Sequence, residues 1–537
     1  MSISYTSHFN TKKTSQTEQI PGENQVKNNA GGFVYKITPM DQLKRFLILG
    51  SEGNHFYVSE KKLTIENAKN VIECIKQDGI AAVQMIVDVS DAGRAPKNDP
   101  AIFALALAAS YGNEATKKAA YNAVTKVCRI GTHLFQFTQA VQDLRHWSRG
   151  LRSAVSKFYT SRSVDSLALQ LVKYRQRDGW THKDVLRLSH PKASNPEMGE
   201  LFKYAVGKAT EIKHPLIHAF EEVQSLGKDP AHTPTKAEIK KVIGLISEYR
   251  LPREALPTQF LNNVGVWEAL LQEMPLTAMV RNLGKMTDIG LLKSGLDDNV
   301  KKVVKSLTDR ESLKKARVHP LALLVALKTY QSGRGIKGSL VWTPVGAVTE
   351  ALNEGFYLAF DNVTPTHLNT LLALDVSGSM GGAEIAGMPL TAREATAAMA
   401  MLIARTEPSH EFFGFSNRFV PLNISKSMRL DTVMKNISEL PFDRTDCAQP
   451  MIHALKNKLK VDIFHIYTDN ETWAGSIHPK QALQEYRQKM GINAKLAVVA
   501  TSASEFTIAD INDPGMLDVA GFDTAVPEVL SQFALGW

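Results

Sequence analysis

A short loop at Asp375 has side chains of the types that bind a hard metal ion. The D-x-S-x-S sequence beginning at Asp375 follows the apolar run LNTLLAL, which is typical of a buried strand that ends in a polar loop. A carboxylate and two hydroxyls at alternating positions can turn towards one point, and two later loops, FDRTDCAQP and IYTDNET, offer further oxygen atoms. Oxygen ligands suit Mg²⁺ above all, with Mn²⁺ or Ca²⁺ as other choices. We therefore expect a divalent cation as the cofactor, with the candidate ligands Asp375, Ser377, Ser379, Thr445 and Asp469.

This loop has two other interpretations. A nucleophilic aspartate of the haloacid-dehalogenase kind would need a second aspartate where Ser377 stands, so phosphatase chemistry is disfavoured. The domain could also keep the loop for its hydrogen bonds and bind no metal. No Ser-His-Asp or Cys-His arrangement with the spacing of a catalytic site can be assembled, so we expect a protein that is not an enzyme.

A second candidate region is the basic segment VKYRQRDGWTHKDVLRLSHPK, which ends at Lys192. Lys173 and Arg177 are four residues apart, which predicts that they share a helix face. Tyr174 and Trp180 lie among the cations, and cations interleaved with aromatic rings can hold phosphates and stack bases. The alternative is a solvated helix face with Trp180 in the core.

The charge distribution points to a polyanion on one part of the chain only. Residues 361–537 contain 14 Lys and Arg against 20 Asp and Glu, a net charge of −6. Since the whole chain carries +9, residues 1–360 carry +15. A basic body joined to an acidic domain favours nucleic acid as the partner of the first part.

The patterning divides the chain into three regions. Residues 1–31 are polar and nearly free of aliphatic side chains, which predicts a disordered tail. Residues 32–361 show apolar side chains at steps of three and four, with Gly, Pro and Asn breaks, which indicates an all-α, HEAT-like helical repeat with His55–Ser59 as the main extended exception. In residues 362–537 strand and helix patterns alternate, which predicts a doubly wound α/β domain.

Three scattered cysteines favour a reduced, cytoplasmic setting. The apolar runs are too short to cross a bilayer, so we expect no membrane partner.

The sequence resembles a known family over about residues 32–537. Stretches such as KVCRIGTHLFQF and ARVHPLALLVALKTYQSGRGIKG are similar to the TROVE module shared by telomerase-associated, Ro and vault proteins. The Asp375 loop and its two partner loops resemble the metal-ion-dependent adhesion site of von Willebrand factor A domains. Together they identify the chain as a member of the Ro 60-kDa autoantigen family, animal or bacterial.

The resemblance implies a ring of helical repeats closed by the von Willebrand domain, with small noncoding Y RNAs outside and the 3′ ends of misfolded RNAs in the central hole. It assigns outer contacts to Lys173, Arg177, His190 and Arg187 and an inner role to Thr132 and His133.

The resemblance also implies a ribonucleoprotein scaffold in RNA quality control, processing and stress survival. We expect a monomer whose von Willebrand domain recruits an exoribonuclease or another protein. The alternative is a metal-dependent protein-interaction or adhesion module in which RNA binding is secondary. One departure from the family is that Asp443 and Arg444, rather than glycines, precede Thr445.

Overall fold

A computed structural model describes residues 13–536, except for residues 51–62, 64–67, 296, 337–338, 361–364, 377–379, 381–389, 417, 441–443, 502–504 and 524. Ser377, Ser379 and the predicted extended segment at His55–Ser59 lie outside the described residues.

The first region is helical, as the periodicity predicts. Its helices are α1 Pro39–Leu49, α2 Lys69–Gln77, α3 Gly79–Ala92, α4 Asp99–Tyr111, α5 Glu114–Val127, α6 Gly131–Arg145, α7 Arg149–Thr160, α8 Val164–Lys173, α9 His182–Ser189, α10 Pro196–Ala205, α11 Pro215–Leu226, α12 Lys236–Tyr249, α13 Val264–Gln272, α14 Leu276–Asp288, α15 Asp298–Thr308, α16 Arg310–Lys315, α17 Pro320–Gln331 and α18 Gly346–Leu358. Many begin at a polar cap: the Asn113, Ser148 and Ser163 side chains each accept a backbone N–H of the following turn. Helix α3 packs on α5, α5 on α7 and α7 on α9, while α4 packs on α6, so successive helices stack in rows as helical repeats do.

The second region is an α/β domain around a six-stranded sheet. Its strands are β5 Thr370–Asp375, β6 His410–Phe415, β7 Phe419–Pro421, β8 Ile463–Thr468, β9 Lys495–Ala500 and β11 Met516–Ala520, in the order β11-β9-β8-β5-β6-β7. The first five strands in this order are mutually parallel, and β7 is antiparallel at the edge. The helices are α19 Ala392–Thr406, α20 Leu430–Ser438, α21 Gln449–Lys456, α22 Pro479–Met490 and α23 Ala525–Leu535. Every residue of β5 and β8 is buried, which confirms the predicted sheet with both faces covered.

The α/β domain contacts both ends of the helical array. Near the start of the array, Arg45 of α1 pairs with Asp518, and Arg94 pairs with the fully buried Asp523 at 3.0 Å. Near its end, Lys328 of α17 pairs with Glu394. Contacts at both ends close the array through the α/β domain, as the family resemblance implies.

The prediction of a disordered tail is wrong for residues 13–31. This segment packs on the α/β domain and contains strand β1 (Gln25–Lys27), which pairs with β2 (Phe33–Lys36), and β2 pairs with β10 (Phe506–Thr507). The segment has few aliphatic side chains, of which Ile20 is buried, but it also buries amides that are hydrogen-bonded to distant loops, so it becomes ordered with little apolar core of its own.

The predicted helix face shared by Lys173 and Arg177 is also wrong. Helix α8 ends at Lys173, and Arg177 lies in a two-stranded hairpin formed by β3 (Gln176–Arg177) and β4 (Trp180–Thr181). The turn residues Asp178 and Gly179 have φ of 50° and 80°, the conformation that an Asp-Gly pair favours in a tight hairpin.

Candidate nucleic-acid and metal-ion sites

A large cavity of about 1200 Å³ lies inside the helical array. Its lining comes from segments spread between α1 and the Gly333–Trp342 loop. Six of the lining side chains are cationic, and among the residues that the structure describes no Asp or Glu lines it. The six cations are Lys97, Arg129, Arg253, Arg281, Lys285 and Arg317. Lys285 pairs with Asp288 and Arg317 with Asp91, neither of which lines the cavity, so the lining keeps a net positive charge and suits a polyanion thin enough to enter.

Neutral oxygen atoms hold two of these cations in place. The Arg129 guanidinium donates to the Ser90 carbonyl (3.2 Å) and hydroxyl (3.0 Å), and the Arg253 guanidinium donates to Asn282 Oδ1 (3.1 Å). These bonds orient the guanidinium groups and leave their positive charge uncancelled, so both can still attract phosphate.

His133, for which the resemblance implies an inner role, lines this cavity. Burial, and then the neighbouring Arg129, lower the pKa of His133 to about 4, so its imidazole is neutral at pH 7. His133 Nδ1 lies 3.5 Å from Asn98 Nδ2. It therefore offers this cavity a neutral hydrogen-bonding ring and no charge.

Thr132, the other predicted inner residue, lines a different cavity. This smaller space of about 380 Å³ also exposes Lys173, Tyr174 and Arg175. Thr132 thus lies with one predicted outer contact, Lys173, while His133 faces the large cavity. The two consecutive residues of α6 therefore serve two separate spaces.

The remaining predicted outer residues lie on the surface beyond Lys173. Arg187 and His190, at the end of α9, are exposed, and Arg177 is 3.5 Å from Asp178 in a partly exposed ion pair. Such exposed pairs are weak, so Arg177 can exchange its partner for a phosphate. Arg187 and His190 are thus exposed and Lys173 and Arg177 partly exposed, and the role of these four residues as outer RNA contacts stays a prediction.

Two residues of the basic segment have structural roles. His182 is buried, with Nδ1 2.8 Å from the Tyr159 hydroxyl, and burial lowers its pKa to about 4. Trp180 is half-buried, stacks on Trp147 with 6.2 Å between ring centroids, and donates to Gln139 Oε1. Neither side chain stands free for a ligand, and for Trp180 the interpretation as a packing residue fits better.

Two of the metal-ion candidates, Asp375 and Asp469, lie at the carboxyl ends of two adjacent parallel strands. Asp375 ends β5 and is fully buried, and its Oδ2 accepts the Thr468 hydroxyl at 2.7 Å. Thr468 ends β8, and Asp469 follows it directly. The parallel pairing of Leu374 with Tyr467 brings these two strand ends together. Open α/β sheets bind ligands at this edge.

Thr445 lies in the loop that precedes α21, and its backbone carbonyl accepts the N–H groups of Trp473 and Ala474. The side chains of Asp375, Thr445 and Asp469 are all buried, with exposures of 0%, 4% and 8%. These three residues fit a hard cation, because buried carboxylate and hydroxyl oxygens are the donors that such an ion requires. A buried carboxylate such as that of Asp375 is also stabilised by a nearby positive charge. The Arg393 guanidinium supplies such a charge, and it donates to the Val376 carbonyl at 2.9 Å.

Sequence reasoning missed several residues that build these sites. Arg281 and Lys97 line the large cavity but lie in no basic cluster, so only the fold brings them together. Thr468 was also missed, although its place between a buried strand and Asp469 was a usable signal.

Comparison with known proteins places the chain in a family. A sequence model of the Ro60 vWA domain matches residues 369–534, and a model of the TROVE domain matches residues 26–251 and 249–329. The chain belongs to the Ro60 family of TROVE-domain proteins. The TROVE match begins at residue 26 and so takes in part of the segment predicted to be a tail.

Two relatives and one solved structure support this membership. The chain is 43% identical over 524 residues to RNA-binding protein RO60 of Deinococcus radiodurans, covering 97% of each chain. It is 37% identical over 593 residues to RNA-binding protein RO60 of Caenorhabditis elegans, covering 97% of this chain and 91% of the relative. The crystal structure of the Deinococcus radiodurans RO (RSR) protein superposes with a TM-score of 0.71 at 41% identity, over 93% of this chain and 100% of the other.

No helix in the part of the chain that the structure describes is long and apolar enough to span a membrane.

Proposed function

We propose that this protein binds RNA and does so at two places on the helical region. The observation that carries the proposal is the large cavity, with its six cations and no described carboxylate in its lining. RNA is the polyanion that fits best, since both full-length relatives are named RNA-binding proteins.

The two places suit two forms of RNA. A single strand can enter a cavity of about 1200 Å³, whereas an A-form duplex of roughly 20 Å diameter cannot. The cavity therefore takes the 3′ ends of misfolded or aberrant noncoding RNAs. Folded small RNAs of the Y class dock on the outer surface around Lys173, Arg177, Arg187 and His190, with Thr132 beside Lys173.

The α/β domain has a different role in this proposal. Asp375, Thr445 and Asp469, with Ser377 and Ser379, bind a divalent cation, Mg²⁺ in first place, which can accept a carboxylate from a partner protein such as an exoribonuclease. The protein then acts in the cytoplasm as a scaffold for RNA quality control and performs no catalysis itself.

A comparison of two RNA duplexes tests the cavity assignment. One duplex is blunt, and the other has the same base pairs with a single-stranded 3′ tail of about ten nucleotides. Titrated at one salt concentration, the tailed duplex should bind at least tenfold more tightly, because only the tail reaches the six cations. Equal affinities would exclude threading of a single strand into the cavity.

A further inference from the structure

The N-terminal segment of residues 13–36, here called the strap, lies across the two loops that carry Thr445 and Asp469. Its backbone is fixed on both sides at Gln16: the Gln16 N–H donates to the Gly475 carbonyl (3.0 Å), and the Phe33 N–H donates to the Gln16 carbonyl (2.8 Å). Lys480 extends the attachment, because its ammonium group pairs with Glu23 of the strap at 2.6 Å. The strap is thus bound to the α/β domain along its length.

The Gln16 side chain is fully buried and bridges the two loops. Its Nε2 donates to Asp446 Oδ1 at 2.7 Å and to the Ile477 carbonyl at 3.0 Å, while its Oε1 accepts the Thr472 hydroxyl. Asp446 directly follows Thr445. One amide therefore ties the residue after Thr445 to the loop that runs from Asp469 to Ile477.

Asn28 makes the matching contact on the Asp469 side. Its side chain is buried, and Nδ2 donates to the Asn470 carbonyl at 3.1 Å and to the Thr472 carbonyl at 2.9 Å. Its Oδ1 accepts the Gly32 N–H at 2.7 Å. The strap thus places one buried amide beside each of the two loops that hold a predicted ligand.

Two glycines make this close approach possible. A Cβ on Gly475 would lie 2.2 Å from Gln16 Nε2 and 2.4 Å from Asp446 Oδ1. A Cβ on Gly32 would lie 1.8 Å from the Thr472 carbonyl oxygen. Strap and loops therefore touch at positions where neither side has room for a side chain, and their relative placement is tightly defined.

We propose that Gln16 and Asn28 are positioning residues for the divalent cation. They hold the Thr445 and Asp469 loops so that the oxygen atoms of these residues converge with the Asp375 carboxylate. The inference rests on the proposed ion site and makes its affinity depend on a segment more than 400 residues away in sequence. Groups that orient metal ligands typically change metal affinity about 10–100-fold when they are removed.

Mn²⁺ binding to the full-length chain, followed by electron paramagnetic resonance at 20 °C, tests the proposal. The variants are Gln16→Met, which keeps the side-chain volume but removes both donors and the acceptor, and Asn28→Ala. Each should raise the Mn²⁺ dissociation constant about tenfold or more. Asp375→Ala, which removes a ligand, marks complete loss of the site.

Two controls separate positioning from a general loss of stability. Gln19→Ala removes an exposed amide of the same strap, which donates to the Glu23 carbonyl at 2.7 Å, and should leave Mn²⁺ affinity unchanged. Arg487→Ala removes an ion pair with Asp513 in the α/β domain, and should lower the melting temperature in EDTA without changing Mn²⁺ affinity.

The outcomes distinguish the two proposals. If the wild type and Asp375→Ala bind Mn²⁺ equally well, the proposed ion site is wrong, and the positioning role of the strap is overturned as well. If Asp375→Ala loses Mn²⁺ while folded Gln16→Met and Asn28→Ala bind like the wild type, the ion site stands and the positioning role is overturned. The positioning role is also overturned if Arg487→Ala weakens Mn²⁺ binding as much as these two variants do. Should Gln16→Met not yield folded protein, the result for Asn28→Ala decides.

Discussion

In the helical region six cationic side chains line a cavity of about 1200 Å³, whereas in the α/β region the carboxylate of Asp375 is fully buried at a strand end. Arg129 and Arg253 donate to neutral oxygen atoms, and within the described part of the chain only Lys285 and Arg317 pair with carboxylates, so the cavity keeps a net positive charge. The buried carboxylate has lost its water and must be compensated by hydrogen bonds or positive charge.

This difference separates two kinds of specificity. The cavity is defined by accumulated charge and by its width, which together select a thin polyanion. The proposed ion site at Asp375 depends on geometry, because Thr468 binds the Asp375 carboxylate and the strap binds the loops that carry Thr445 and Asp469. Removing one cation should therefore weaken RNA binding in the cavity by a small step. Removing one residue of the ion site should weaken cation binding strongly.

The largest expected effect comes from removing cavity cations. Lys97→Ala with Arg281→Ala should weaken binding of a single-stranded RNA tail by about 3 kcal/mol, since a charge-assisted contact contributes about 1.5 kcal/mol or more. The slope of log affinity against log salt should also fall by about 1.4, or about 0.7 for each lost phosphate contact. Fluorescence anisotropy over a salt series measures both quantities.

The matched control for that double variant is Lys240→Ala with Lys301→Ala, which removes the same charge from exposed positions on α12 and α15. Equal losses in the two double variants would mean that net charge alone, and no cavity, governs RNA binding.

The next effect concerns the α/β site alone. Mg²⁺ at a hundred times its dissociation constant should stabilise the wild type by about 2.7 kcal/mol, and Asp375→Ala should abolish this gain. The RNA affinity of the variant should stay within a few-fold of wild type, because the cations proposed to contact RNA lie in the other region. Thermal melts with and without Mg²⁺, paired with RNA titrations, measure both. A folded Asp375→Ala protein that no longer binds RNA would show that the division between the two regions is wrong.

A smaller effect is expected on the outer surface. Lys173→Ala with Arg177→Ala should weaken binding of a folded small RNA by about 2 kcal/mol, because two charge-assisted contacts are lost. The expected loss is smaller than in the cavity because Arg177 must give up its ion pair with Asp178 before it can bind a phosphate. Binding of a single-stranded tail should be unchanged. Gel-shift titrations with each RNA make the comparison, and a variant that binds folded RNA like the wild type would remove this surface from the proposal.

The smallest effect of a single residue concerns acid, to which buried histidines in both regions should respond. Burial lowers the pKa of His319 in the helical region and of His465 in the α/β region to about 4, from an ordinary value of 6.5. Between pH 6.5 and pH 4 the unfolded chain takes up protons that the folded chain does not, so stability falls as the pH drops through that window. Each histidine should cost about 1–2 kcal/mol between pH 7 and pH 5.

Urea unfolding at the two pH values measures this loss, and His465→Gln should lose less stability than the wild type on acidification. A variant with the full wild-type loss would show that His465 is not part of the acid response.

Much of the fold could be predicted from the sequence because its signals are local. The run TLLALD and the pattern TAREATAAMAMLIART predict a buried strand and an amphipathic helix, and both form at those residues. The positions of Asp375 and Asp469 at two strand ends follow from the same patterns. The grouping of Lys173 with Arg177 on one helix was wrong because the helix ends at Lys173, and Arg177 already belongs to the hairpin that turns at Asp178 and Gly179.

The sequence by itself determined which segments are helices and strands and which residues carry oxygen or positive charge, since these depend on neighbours within one or two turns. Only the tertiary structure decided that Lys97 and Arg281 share one cavity, that Thr132 and His133 face different spaces, and that a polar N-terminal segment binds the loops that carry Thr445 and Asp469. The physical reason is the range of the interactions involved. Helical and strand periodicity acts between near neighbours, whereas the buried amides of Gln16 and Asn28 are satisfied by loops more than 400 residues away, where composition gives no indication of a partner.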